Sequence, residues 1–148
     1  MKQVLFVDDE PEFVRPQVEA LISNGYDVIL KTNADDAFDF LSSHRPDLII
    51  LDLIMPPRQI DVPKNMNAPD FVETGVRLHQ AIREDLRLMD VPIIFLSVVR
   101  DQQIRHELTA LERRYFPRLR FLTKPISSGE VVAEVQAALG ELGNSTEK

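Results

Sequence analysis

Short apolar runs, each closed by a polar side chain, set the strongest limit on how this chain can fold. Gln3–Val7 ends in Asp8-Asp9, Leu48–Leu51 in Asp52, Ile93–Leu96 in Ser97, and Leu119–Thr123 in Lys124-Pro125. Most of the runs are continuous rather than alternating, as expected of strands buried on both faces. Segments with helical apolar spacing separate them, so the pattern predicts parallel strands joined by crossover helices. In such a sheet, ligands bind at the carboxyl ends of the strands. Three carboxylates, one hydroxyl and one ammonium would then meet at a single edge, where no core needs them.

Predicted strands cover residues 3–8, 27–31, 47–52, 92–97 and 119–123. Val14, Val18, Leu21 and Ile22 mark a first helix, and Ala34, Ala37, Phe38 and Leu41 a second. Leu78, Ile82, Leu86 and Met89 mark a third; Ile104, Leu108, Leu111 and Tyr115 mark a fourth. Val131, Val135, Ala138, Leu139 and Leu142 form the stripe of a fifth. Ser127 and Glu130 stand at capping-box spacing at its start, where they can satisfy free backbone N–H groups. Five strand–helix pairs with right-handed crossovers give an α/β fold, a doubly wound five-stranded parallel sheet in the flavodoxin-like order 2-1-3-4-5. Strands 1 and 3 are then neighbours, and Asp8-Asp9 shares a crevice with Asp52.

Two segments resist this reading. Pro16 falls inside the first helix, which is therefore either kinked or starts late, near Pro16. Met55–Glu73 contains Pro56, Pro57, Pro63 and Pro69 and little helical period. It reads as a long loop, an insertion over about 56–73 between strand 3 and helix 3.

Composition narrows the function classes. A chain of 148 residues is by default one domain with a sizeable core, expected here over 1–142 with a flexible polar tail at 143–148. A net charge of −7, from 17 basic and 24 acidic residues, argues against direct nucleic-acid binding. The absence of cysteine excludes disulfides and thiolate metal sites, and fits a cytoplasmic location. Acids directly after the first apolar run argue against a signal peptide. No apolar stretch approaches the ~20 residues of a membrane span.

Asp52 carries the chemistry. A carboxylate bounded by Leu48–Leu51 and Leu53–Met55 is no solvated loop residue, and burying it unpaired is costly. Carboxylates crowded with Asp8 and Asp9 repel one another unless a divalent cation neutralises them. Oxygen-only ligands with an open position suit Mg²⁺. Lys124 supplies a fixed positive charge and Ser97 a donor, both suited to phosphoryl oxygens.

As a set, VLFVDDEP, DLIILDLIMP, FLS and RFLTKP resemble the receiver domain of two-component response regulators, over Lys2 to about Leu142. The resemblance implies that Asp52 is the phosphoacceptor, charged from a phosphohistidine on a sensor histidine kinase or histidine phosphotransfer protein. It assigns Mg²⁺ to Asp9 and Asp52 directly, to Asp8 through water, and to the Ile54 backbone carbonyl. Ser97, Lys124 and the Val98 backbone N–H would hold the phosphoryl oxygens, with Ser97 and Phe121 as the switch pair. The Lys124–Pro125 bond is expected cis. A stand-alone receiver is expected, with no output domain after helix 5, no enzymatic activity beyond its own phosphorylation and slow dephosphorylation, and signalling through protein contacts. Its downstream protein is unidentified, and a phosphorylation-dependent homodimer is one option.

The chain also departs from the family. Val98 stands where a small residue is usual, and Ile54 and Val99 are apolar where polar residues are common. With neither Ile54 nor Val99 able to orient an attacking water, a long-lived phosphorylated state is expected. The glycine that normally follows the phosphoacceptor after one short turn appears as Gly75, beyond the Pro- and Asn-rich segment. The stretched Ser97–Phe121 interval suggests a longer fourth helix. Two rivals stay open. A phosphohydrolase of the haloacid-dehalogenase type wants a carboxylate where Ile54 stands, and a pseudo-receiver would bind partners without phosphorylation. His44, His79 and His106 are isolated and read as surface or structural. Arg100, Arg105, Arg113, Arg114, Arg118 and Arg120 form a basic streak around helix 4, either a solvated face or a surface for an acidic partner.

Overall fold

Successive residues of a strand point to opposite sides of its sheet, so a strand apolar at every position needs a core on both sides. Two cores are present. Leu5, Val7, Ile49, Leu51, Ile93 and Phe95 face one of them. Val4, Phe6, Leu48, Ile50, Ile94 and Leu96 face the other. The computed structural model describes residues 1–54, 69–98, 102–115 and 121–140. Its strands are β1 (Gln3–Val7), β2 (Asp27–Lys31), β3 (Leu48–Leu51), β4 (Ile93–Ser97) and β5 (Phe121–Thr123). All pairings are parallel, in the order β2-β1-β3-β4-β5. This is the expected sheet.

The helices are α1 (Pro11–Ser23), α2 (Ala34–Ser43), α3 (Pro69–Gln80), α4 (Gln102–Glu112) and α5 (Ser128–Ala138). Val14 and Leu21 of α1 and Val131 and Val135 of α5 cover the second core. Ala37 and Leu41 of α2 and Leu78 of α3 cover the first. Side-chain caps open two of the helices. Asn33 accepts the Asp36 N–H at 2.8 Å, and Ser127 accepts the Glu130 N–H at 3.1 Å. The capping box is only half formed, because the Glu130 carboxylate accepts the Ser127 hydroxyl at 3.2 Å instead of a backbone N–H.

Several expectations need correction. α1 starts at Pro11 and runs through Pro16, so the late start does not occur. Pro16 and Glu12, whose carbonyl loses its helical donor, are both exposed, so water can take that place. The insertion read over about 56–73 is too long at its far end, because residues 69–73 already belong to α3. Pro69 suits a first helical position, where its missing N–H has no partner to lose; the remainder of that segment lies outside the described residues. The third helix does not continue to Met89: it ends in a π-helical turn, Ala81–Asp85, followed by Arg87 at φ 56°. α4 spans 11 residues, and the stretches 99–101 and 116–120 on either side of it lie outside the described residues. The tail at 143–148 lies outside the described residues.

Gly75 sits inside α3 where the helix crosses the end of β3. A Cβ at this position would collide with the backbone of Leu53. The glycine displaced in sequence therefore packs one residue past Asp52. Gly75→Ala is expected to lower stability by about 2 kcal/mol or more, since backbone on both sides leaves little room to adjust. An unchanged urea midpoint would show that this contact is soft.

Candidate phosphoacceptor site

Register alone brings the acidic residues together. Val7 pairs with Leu51, so Asp8 and Asp52 leave adjacent strands at the same level. The Asp52 N–H donates to the Val7 carbonyl at 3.0 Å, and the Asp8 N–H to that of Lys31 at 3.0 Å. Ser97 pairs with Thr123, and the Lys124 N–H donates to the Ser97 carbonyl at 2.9 Å, which delivers Lys124 to the same edge. The Lys124–Pro125 bond is cis, as expected.

Asp8, Asp52 and Ser97 are buried. Lys124 Nζ donates to Asp8 Oδ2 at 2.6 Å and to Asp52 Oδ2 at 3.2 Å. The remaining oxygens take backbone donors: Asp8 Oδ1 accepts the Glu10 N–H at 2.9 Å, and Asp52 Oδ1 the Ile54 N–H at 3.1 Å. Carboxylate oxygens of Asp8, Asp9 and Asp52 lie within 4.8 Å of one another. Three hard oxygen donors at that spacing fit a divalent cation of the Mg²⁺ kind, with room for water and a phosphoryl oxygen.

The charge balance explains the titration. Burial pushes the Asp52 carboxyl up to about 6; Lys124 opposes this, Asp8 adds to it, and hydrogen bonds from Ser97 and the Ile54 N–H hold it down. Burial also raises Asp9, aided by the charges of Asp8 and Glu10. Lys124 moves the other way from what its own burial would do: the Asp8 hydrogen bond and the Asp52 charge outweigh desolvation and raise it.

Phe121 is half-buried, its ring centre 5.6 Å from that of Phe95 and 4.8 Å from the Arg105 guanidinium. Val98 is half exposed and walls a groove of about 350 Å³ beside Lys124, with Phe13, Val14, Leu96, Pro125 and Ile126. Val99, Arg100, Arg118 and Arg120 lie outside the described residues.

The family model of the response regulator receiver domain matches residues 4–136. The chain belongs to that family. Response regulator Rre1 of Synechocystis is 33% identical over 140 residues, 92% of this receiver chain and 51% of that protein. The phosphate regulon transcriptional regulatory protein PhoB of Pseudomonas aeruginosa is 28% identical over 142 residues, 96% of this chain and 53% of that one. The chain thus spans about half the length of these curated relatives. Chemotaxis response regulator CheY4 of Vibrio cholerae shares its fold, with a TM-score of 0.71 at 22% identity, covering 93% of this chain and 98% of that one. Among the described residues of the receiver, no helix is long and apolar enough to cross a membrane.

One buried cluster went unread in the sequence. Glu112 of α4 pairs with Arg83 and His79, all three buried. A signal was present: Ile104, Leu108 and Glu112 continue one stripe, and His79 and Arg83 stand four apart. An acid closing an apolar stripe, opposite a cation, is the mark of a buried pair.

The raised Asp52 value has a sign. The folded state binds the proton more tightly than the unfolded chain, so stability present below pH ~4 is lost as pH rises to about 6. In metal-free protein, Asp52→Asn should therefore gain stability over wild type across that interval, by on the order of 2 kcal/mol at pH 7. Urea unfolding in chelator at several pH values measures this. A difference that stays flat with pH would contradict the burial of an ionisable Asp52.

Proposed function

We propose that Asp52 accepts a phosphoryl group from a phosphohistidine of a sensor histidine kinase or a histidine phosphotransfer protein, and that the receiver acts in the cytoplasm as a switch read through protein contacts. The observation that carries this reading is a buried carboxylate held 3.2 Å from Lys124 Nζ inside a three-carboxylate cluster. An Asp52 oxygen attacks phosphorus, the P–N bond breaks, and its electron pair returns to the imidazole nitrogen. Asp9 and Asp52 would hold Mg²⁺, with Asp8 behind water and the Ile54 carbonyl as a further ligand. When bound, the cation offsets the negative charge on carboxylates and phosphoryl oxygens. Lys124, which bridges two carboxylates, would follow a phosphoryl oxygen. The Ser97 hydroxyl and the Val98 N–H would hold the other oxygens. A haloacid-dehalogenase mechanism lacks its second acid, because Ile54 offers Asp52 only a backbone N–H.

With Mg²⁺ and a small phosphodonor, intact mass should show one added phosphoryl group, absent in Asp52→Asn. Millimolar Mg²⁺ should also raise the melting temperature of the wild type, because the ion binds the folded state alone. A phosphorylated Asp52→Asn protein would sink the assignment.

Persistence follows from the same surroundings. The Ile54 side chain packs against the first core and offers no polar group to an attacking water. Replacing Ile54 and Val99 by polar residues should shorten the phosphorylated lifetime by about tenfold or more. Loss of the wild-type phosphoryl group within seconds would refute a long-lived state.

A further inference from the structure

The core-facing stripe of α1 carries one polar residue. Val14 and Leu21 are buried there, and Val18 packs against the second core. Gln17 stands three residues after Val14 and four before Leu21, on the same face. An apolar side chain would suit that position. Gln17 is instead only half satisfied. Its Nε2 donates to the Ile126 carbonyl at 3.1 Å, while its Oε1 is buried without a hydrogen-bond partner among the described residues. The placing of the two amide atoms is forced, because a carbonyl only accepts and an exchange would set oxygen against oxygen. A buried polar atom left unpaired is costly, so Gln17 is a poor choice for packing alone.

What the contact holds is the turn that carries Lys124. β5 ends at Thr123 and α5 begins at Ser128, and residues 124–127 belong to neither. Two polar tethers bracket the lysine. Its own N–H donates to the Ser97 carbonyl at 2.9 Å, and two residues on the Ile126 carbonyl takes the Gln17 amide. Pro125 between them has no N–H to offer, and its ring fixes φ. A segment so short and stiff passes a shift of Ile126 on to Lys124. The side chain at stake is the one whose ammonium reaches Asp8 Oδ2 at 2.6 Å and Asp52 Oδ2 at 3.2 Å. Gln17, Lys124, Pro125 and Ile126 line one groove of about 350 Å³, so the tether lies in the wall beside the site.

We propose that Gln17 is a positioning residue for phosphoryl acceptance, fixing the 124–126 turn against α1 so that the Lys124 ammonium meets a phosphoryl oxygen on Asp52. The proposal rests on the Asp52 reading above. Gln17 touches no reacting atom and acts through Lys124. Misplacing a catalytic group by about 1 Å can cost on the order of 100-fold in rate, and losing one of two tethers should cost less.

A double-mutant cycle on the full chain tests this. Phosphorylation by acetyl phosphate with Mg²⁺ is timed by intact mass in wild type, Gln17→Met, Lys124→Gln and the double variant. Gln17→Met removes the donor and suits the stripe. Its urea midpoint should stay near that of wild type, because one unpaired oxygen disappears as the Ile126 carbonyl loses its partner. Its phosphorylation should nevertheless slow by about fivefold or more. On the Lys124→Gln background the same change should alter the rate by less than about twofold. Equal slowing on both backgrounds assigns Gln17 to general packing and overturns the proposal, as does a wild-type rate in Gln17→Met. Should Gln17→Met not fold, Gln17→Asn takes its place, since its amide sits on a stem one carbon too short to reach Ile126. If Lys124→Gln takes up too little phosphoryl group to time, the side-chain nitrogen resonance of Lys124 in metal-free protein decides. A shift in Gln17→Met supports the tether, and an unmoved resonance overturns it. A wild type that takes up no phosphoryl group sinks the Asp52 reading, and the same resonance then decides whether Gln17 sets Lys124.

Discussion

The Lys124 ammonium sits between two buried carboxylates, and the rest of the site depends on that arrangement. Asp8 and Asp52 could not share a dry strand edge without it, because like charges in a low-dielectric setting repel strongly. One cation does not balance the acids. Formally, Asp8, Asp9 and Asp52 leave a surplus of negative charge that neither Ser97 nor a backbone N–H can neutralise. Burial is the main reason the Asp52 and Asp9 carboxyls are raised, and the negative charge of Asp8 adds to it. A pocket so charged is poised for a hard cation, and then for a transferable anion that the cation can share.

The three elements that make this arrangement are far apart in sequence and adjacent in the sheet. Asp8 ends β1, Asp52 ends β3 and Lys124 ends β5, so the site exists only once the crossovers have closed. The two cores fix its geometry. A one-residue slip of β3 would exchange Ile49 and Leu51 for Leu48 and Ile50 and turn Asp52 away from Asp8. The apolar residues behind the site hold its register as firmly as the charged ones define its chemistry.

Sheet order and the placing of Asp8, Asp9, Asp52, Ser97 and Lys124 were legible because they rest on local pattern. Continuous apolar runs have few alternatives, and their last residues must face the carboxyl edge. The start of α3 was not legible, because Pro69 and its Asn- and Pro-rich approach carry loop chemistry that a first helical turn also accepts. The π-helical turn left no periodic trace. The Glu112 cluster was hidden for another reason: periodicity weighs apolar residues, whereas Leu111, read as core, is exposed and Glu112 is buried. Its trace on each helix is faint, an acid closing the Ile104–Leu108 stripe and a His and an Arg four apart, and only the pairing of the two helices gives that trace meaning.

The contact between Gly75 and the Leu53 backbone has a topological meaning. It brings Leu53 and Gly75, 75 − 53 = 22 positions apart in sequence, into backbone contact, so the chain is closed at this point. For such a closure, chain-closure entropy grows only with the logarithm of length. A change of length between these two points therefore makes little demand on the sheet. Gly75 is the closure point, and chain length between Leu53 and α3 is a variable to which the register of β3 is indifferent.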